Sequence, residues 1–219
     1  MKFIKLLLIF EVFSLLILTN CSKDKKVESE TSAVTTTKEG KIYLLNAATS
    51  KIEWKGYKIV KSENTSHFGF ISMKSGEITV KGGKLESGKF VADMSTLTSE
   101  DLKNDSENLN KLNSYLKNAD FFDVAKYPTT TYEITKVSDA PTGSDYNTVL
   151  EGNFTIKGIT KPVQFNANIN VDGDNVKIAT QPKDISREEF GIVFQMPAAN
   201  GIIKDEMTLQ IVVNAIAKK

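Results

Sequence analysis

Apolar and polar residues alternate one by one through the second half of this chain, and that period limits what it can fold into. Val163, Phe165, Ala167, Ile169 and Val171 are interleaved with Gln164, Asn166, Asn168 and Asn170. Successive side chains of a strand point to opposite faces, so this spacing predicts a half-buried strand of at least nine residues. Asp172-Gly173-Asp174 interrupts it, and Val176 and Ile178 resume it, which is a hairpin signal. Leu150, Gly152, Phe154 and Ile156 form the strand before, with Lys157-Gly158-Ile159-Thr160 as the turn between. Ile78 and Val80 lead into the turn Lys81-Gly82-Gly83-Lys84, from which Phe90, Ala92 and Met94 return. Tyr132 and Ile134 sit in a further strand, and Met207, Leu209, Ile211 and Val213 in the last. Ser75-Gly76-Glu77 and Ser87-Gly88-Lys89 read as hairpin turns. With Ile42–Leu45 and Ile52–Val60, about eight strands follow one another, joined mainly by tight turns. Such a meander removes its edges by closing on itself. The expected fold is therefore mainly β, an eight-stranded antiparallel barrel whose interior is packed with side chains or holds one small ligand.

One stretch breaks the period. Leu109, Leu112, Tyr115 and Leu116 are spaced by threes and fours, which predicts a short amphipathic helix near residues 106–118. Ser99 or Asp105 is the candidate cap for it or for a preceding turn. Pro128 biases Tyr127 away from helix and opens the next strand.

The N-terminus has a different character. Lys2 and Lys5 precede an apolar run that is too short to span a membrane comfortably and that stops at Thr19-Asn20-Cys21. Leu18-Thr19-Asn20-Cys21 resembles the lipobox of bacterial lipoproteins, in which the cysteine carries acyl chains. Residues 22–40 are polar and lack aromatics, so they cannot bury enough apolar surface to offset the entropy of ordering them. The expected organisation is a signal peptide over 1–20, a lipidated flexible tether over 21–40 and a barrel domain over 41–219. Cys21 is the lipidation site and the single cysteine, so no intramolecular disulfide forms. The expected location is the bacterial cell envelope, anchored to a membrane on its periplasmic face.

Little in the sequence supports catalysis. The formal net charge of +1 argues against nucleic acid as the main partner. With His67 the only histidine, a multi-histidine metal site is ruled out, and the residue reads as a satisfied structural histidine, with a carboxylate partner as the functional alternative. There is no G-x-S-x-G elbow, and Lys81-Gly82-Gly83-Lys84 joins two strands rather than opening a helix, so it is not a phosphate loop. Asp120 and Asp123 read as an ordinary acidic turn, and no metal is expected. Arg187 is the charged residue of interest, either orienting a ligand headgroup or pairing with Glu188, Glu189 or Asp184 on a rim loop.

Three stretches carry a family resemblance. They are Leu112 to Val124 with Lys126-Tyr127-Pro128, the hairpin from Leu150 to Val163, and His67-Phe68-Gly69-Phe70, to which Arg187 with Phe190-Gly191 adds a fourth element. Together, over roughly residues 47–216, they resemble the YceI-like lipid- and polyisoprenoid-binding family of exported, lipocalin-like barrels. Tyr115 stands where that family often has histidine. The resemblance implies a lipocalin-like barrel that encloses a long apolar chain, an isoprenoid or fatty acid, with no other cofactor. Candidate ligand contacts are Phe68, Phe70, Phe90, Phe121, Phe122, Tyr132, Phe154, Phe165, Arg187, Phe190 and Phe194, although alternation by itself reports only burial. The alternative is a packed barrel that docks a protein partner in the envelope. An exposed barrel edge would support a homodimer.

Overall fold

A computed structural model of the chain describes residues 39–197 and 201–219. The expected signal peptide, Cys21 and nearly all of the tether lie outside the described residues. In chain order the elements are β1 (Lys41–Leu45), β2 (Lys51–Val60), β3 (Glu63–Lys81), β4 (Lys84–Asp93), β5 (Thr98–Ser99), α1 (Ser106–Lys117), β6 (Thr129–Asp139), β7 (Thr148–Ile156), β8 (Ile159–Asp172), β9 (Asn175–Thr180), β10 (Lys183–Ser186) and β11 (Ile202–Ala217).

The sheet closes. From β2 it runs through β3, β4, β6, β7, β8 and β9 and returns to β2 through β11, which gives the eight ring positions expected from the alternation. Every pairing in the ring is antiparallel. Two further strands extend ring positions. β1 continues the line of β2 between β11 and β3, and β10 continues the line of β9 along β11. Pro182 stands between β9 and β10, where a residue without an N–H cannot extend a ladder. Thr180 fills that break: its Oγ1 accepts the Ile211 N–H at 2.8 Å and its carbonyl accepts from Gln210 Nε2 at 2.8 Å.

The hairpins turn on left-handed residues, as the twist of antiparallel strands demands. Gly82 and Gly83 have φ of 58° and 79°, and Lys157 and Gly158 have 49° and 76°. The latter turn is shorter than the sequence suggested, because Ile159 and Thr160 already pair in β8. Two expected turns are not turns. Ser75-Gly76-Glu77 lies inside β3 and Ser87-Gly88-Lys89 inside β4, where Gly76 faces Phe90 and Gly88 faces Ile78. A Cβ on Gly76 would lie 3.0 Å from Phe90 Cδ1, and one on Gly88 3.2 Å from Phe90 Cζ. These glycines make room for a buried ring and do not reverse the chain.

The helix falls where its spacing placed it. Asp105 is its N-cap, accepting the Asn108 N–H at 3.1 Å. Ser99 is no cap. Its N–H donates to Asn113 Oδ1 at 3.0 Å, which ties α1 to β5. No residue of α1 is fully buried, and Tyr115 and Leu116 pack their half-buried side chains on the core.

Candidate ligand-binding cavity

The inward positions of the ring divide into two regions. Around β6, β7 and β8 they hold rings that touch one another. Tyr132 meets Phe154 and Phe165 with centroids at 5.6 and 5.3 Å, and Phe154 meets Phe190 at 6.4 Å. The Tyr132 hydroxyl donates toward the Leu150 and Val163 carbonyls, at 3.2 and 3.0 Å. Burial, reinforced by the nearby Glu151 charge, pushes this phenol well above its ordinary value. This half of the interior is filled.

Beside the filled region lies an almost wholly apolar cavity of about 80 Å³. One wall is β2 and β11, with Ile52, Trp54 and Gly56 facing Met207 and Leu209. Phe154 and Ile156 of β7 form its floor. Met94, Leu97, Leu116, Phe121 and Phe122 cover it, and Ile192 and Ile203 close the side. A Cβ built on Gly56 would meet nothing within 4 Å, so the strand itself leaves space there.

The cover is held by polar contacts. Asn118 Oδ1 accepts the Asp120 and Phe121 N–H groups at 2.9 and 3.3 Å, which aims the two phenylalanines. Phe121 packs on Tyr115 and Phe194. On the approach to α1, Asp101 accepts hydrogen bonds from Ser99 Oγ at 2.6 Å and the Phe68 N–H at 3.0 Å, and its Oδ2 lies 2.8 Å from His67 Nδ1. Burial works to raise the Asp101 carboxyl. The bonds from Ser99, Phe68 and His67 outweigh it and hold the group below the usual carboxylate range. Although a serine, a histidine and an aspartate meet here, the serine hydroxyl is bonded to the carboxylate instead of the imidazole. The imidazole does not touch the serine, so the three are not a serine–histidine–aspartate relay, and their bonds clamp the Phe68 backbone to Asp101.

The aromatic candidates separate accordingly. Phe121, Phe122 and Phe154 line the cavity, as does Arg187. Phe194 packs behind Phe121 and Tyr115, and Phe190 behind Phe154. Phe90, Tyr132 and Phe165 are fully buried members of the filled half and do not reach the cavity. Phe68 and Phe70 are corrections. They pair with Lys55 and Glu53 on the outward face of β3, while Gly69, Ile71 and Met73 take the inward one, and Phe68 is 49% exposed. Both border a groove on the outside of the barrel. Arg187 needs a partial correction: it has Glu188, one of its expected partners, beside it, but at only 4% exposed it does not sit on an open rim. Its guanidinium donates to the carbonyls of Lys204 at 2.9 Å, Ile203 at 3.4 Å and Ile192, with Glu188 3.6 Å away. Asp184 accepts instead from Thr208.

Trp54, Gly56, Ile203 and Met207 did not figure among the sequence candidates. The signal for Trp54 and Gly56 was present, since Ile52, Trp54 and Gly56 share one strand face. Among the described residues, no group of three or more His, Cys, Asp and Glu side chains is placed to hold a metal ion. No helix there is long and apolar enough to cross a membrane.

A family model described as the YceI-like domain matches residues 43–215. A UPF0312 protein of Vibrio cholerae is 27% identical over 125 residues, covering 57% of this chain and 65% of the relative. One from Pseudomonas putida is 30% identical over 135 residues, covering 58% and 65%. The matches thus span just under two thirds of these relatives' length. Among solved structures, Burkholderia cenocepacia BcnA superposes with a TM-score of 0.59 at 19% identity, over 78% of this chain and 98% of BcnA. A polyisoprenoid binding domain from Saccharophagus degradans superposes with a TM-score of 0.55 at 12% identity, over 80% and 98%. At such identities the likeness is one of fold.

Proposed function

This chain belongs to the YceI-like domain family, and from that premise we propose that it is a binding protein whose barrel takes up a long apolar ligand, an isoprenoid or fatty-acid type chain, for carriage or storage. The apolar cavity beside Gly56 carries the reading. Each Å² of chain removed from water contributes about 25 cal/mol, so an apolar tail binds there without charged contacts. The polyisoprenoid-binding description of the Saccharophagus neighbour agrees in kind.

Volume decides how the ligand enters. Sites for drug-sized ligands hold roughly 300–1,000 Å³, and this cavity has about 80 Å³. The mouth must widen, and within the cover Leu116 on α1 is less tied to the core than Met94, Leu97 and Phe121, because α1 contributes no fully buried residue. The polar clamp at Asp101 fits a binding protein and not an enzyme.

The proposal extends to the envelope: Cys21 carries the acyl anchor, with the domain held off a membrane by the tether. The apolar run ending at Leu18-Thr19-Asn20-Cys21 supports it. Cys21→Ser is expected to move the protein from the membrane to the soluble fraction.

Trp54 is the single tryptophan of the chain and lines the cavity, so its fluorescence reports occupancy. Titration with farnesol or a long-chain fatty acid is expected to shift its emission saturably, and solvent extraction of the purified protein to release an apolar species. An unresponsive Trp54 with no extractable ligand would overturn the carrier reading. That result would favour a packed barrel docking a protein partner, to which the half-exposed Phe68 beside the outer groove points.

A further inference from the structure

Toward the β3–β4 hairpin the wall of the barrel parts between β4 and β6. The two strands pair from Asp93 with Thr129 as far as Lys89 with Glu133, and no further. Yet β4 begins at Lys84 and β6 runs on to Asp139. A bulge in each strand marks the parting. The register with β3 skips Glu86, and the register with β7 skips Thr135, whose hydroxyl donates to the Glu151 carbonyl at 3.1 Å. An extra residue bends its strand, so past these bulges β4 and β6 diverge. Lys84 to Ser87 and Lys136 to Asp139 face each other without pairing, and among the described residues no third strand stands between them. A cleft of about 650 Å³ occupies the gap. The half-buried apolar side chains of Val137, Ile169 and Val171 line it, and Lys84 Nζ reaches both Asp139 oxygens across it at 3.0 Å. Charges and bulges guard an exposed edge against chance pairing. They do not account for an apolar lining left open between two strand edges.

We propose that residues 30–35 of this chain, Glu30-Thr31-Ser32-Ala33-Val34-Thr35, close the gap as an added strand between β4 and β6. The position of Glu39 supports this occupant. Its carboxylate lies 3.3 Å from Lys81 Nζ, and Lys81 pairs with Lys84 across the β3–β4 hairpin. The chain before Glu39 therefore sets out from the open end of the gap. Crossing β3 and β4 takes about 10 Å, roughly three extended residues, so the stretch that enters ends at Thr35. Main-chain hydrogen bonds supply the affinity in strand addition, so a segment too polar to build a core can still order there. Thr31, Val34 and Thr35 are β-branched, and no proline or glycine interrupts the six. The short link to the barrel gives the segment an effective concentration in about the millimolar range, which a separate peptide lacks. In the anchored form proposed above, only residues 22–29 then separate Cys21 from the barrel.

Hydrogen exchange of the full chain tests this, with Ser32→Pro combined with Ala33→Pro as the comparison. Adjacent residues of a strand bond to opposite neighbours, so the two prolines remove one donor toward each edge. Both precede the described residues, so the packing of the barrel is untouched. In the wild type, the amides of Lys84 to Ser87 and Lys136 to Asp139 that face the gap are expected to exchange slowly. In the variant they are expected to exchange about tenfold faster, the worth of one main-chain hydrogen bond. Amides of the same strands that face β3 and β7 are expected to stay equal in the two proteins. Fast exchange at the gap in both proteins would overturn the proposal, because the gap is then empty. Slow exchange in both would overturn it in favour of another part of the chain. Protection that fades on dilution would overturn it in favour of a second copy.

Discussion

Gly152 and Gly56 are both inward-facing glycines in the ring, and their surroundings are opposite. A Cβ on Gly152 would fall 2.6 Å from Tyr132 Cζ and 2.7 Å from the Glu133 carbonyl oxygen, whereas one on Gly56 would meet nothing within 4 Å. The first glycine lets a ring cross the interior and fill it. The second keeps a side chain out and leaves space. What separates the closed half from the open half is thus less hydrophobicity than the volume that each strand face delivers to the middle. The closed half fills its volume with Tyr132, Phe154 and Phe165, and the open half closes over its deficit with Met94, Leu97, Phe121, Phe122 and, from the half-buried helix, Leu116.

The contrast is sharpest where ring packing is removed. Phe165→Ala empties a site in the closed half and is expected to cost about 3–5 kcal/mol in urea unfolding. Phe68→Ala, on the outward face of the same barrel, is expected to stay within about 0.5 kcal/mol. Equal losses at the two positions would mean that the outer groove is part of the structural core.

The paired glycines come next. Gly152→Ala forces a methyl group against a buried ring and a strand carbonyl, and is expected to cost about 1–3 kcal/mol. Gly56→Leu meets no such contact and needs no left-handed backbone. Its stability is expected to change by less than about 1 kcal/mol, while it fills the cavity and abolishes the ligand response of Trp54. Retained binding in Gly56→Leu would place the ligand elsewhere. A smaller loss, about 1 kcal/mol, is expected for Tyr132→Phe, which removes only the hydroxyl bonded to the Leu150 and Val163 carbonyls.

Period two made the ring legible, because a one-residue slip would expose every inward side chain of a strand. The eight positions and the hairpin at Gly82-Gly83 followed from it, and the helix from its interruption. It could not assign Phe68 and Phe70, since β3 there offers Gly69 and Ile71 to the interior, and aromatic character outweighed a weaker alternation. Ser75-Gly76-Glu77 read as a turn because glycine marks chain reversal and room for a neighbour's ring equally well. The cavity was the least legible feature. Whether an inward glycine is filled, as at Gly152, or open, as at Gly56, depends on residues far apart in sequence that the closed ring brings together.

The two halves also differ in the kind of force that holds them, and pH separates these. The closed half rests on apolar packing and does not titrate near neutrality. The approach to the cover rests on Asp101, which binds Ser99 Oγ, the Phe68 N–H and His67 Nδ1. Its carboxyl is held below the ordinary value of 3.8 in the folded protein. The unfolded chain therefore takes up its proton first as pH falls, so the stabilisation is present above that value and is lost as pH drops through the folded one. Asp101→Asn removes the titration. The variant is expected to be less stable than wild type at neutral pH by about 1 kcal/mol or less, and the gap is expected to start closing as pH falls through the ordinary carboxylate value of 3.8 and to vanish only below the folded one. The Phe68 amide signal should follow the same titration in the wild type, while amides of β7 and β8 in the closed half stay still. A gap that persists unchanged at acid pH would show that Asp101 positions the cover by shape and not by charge.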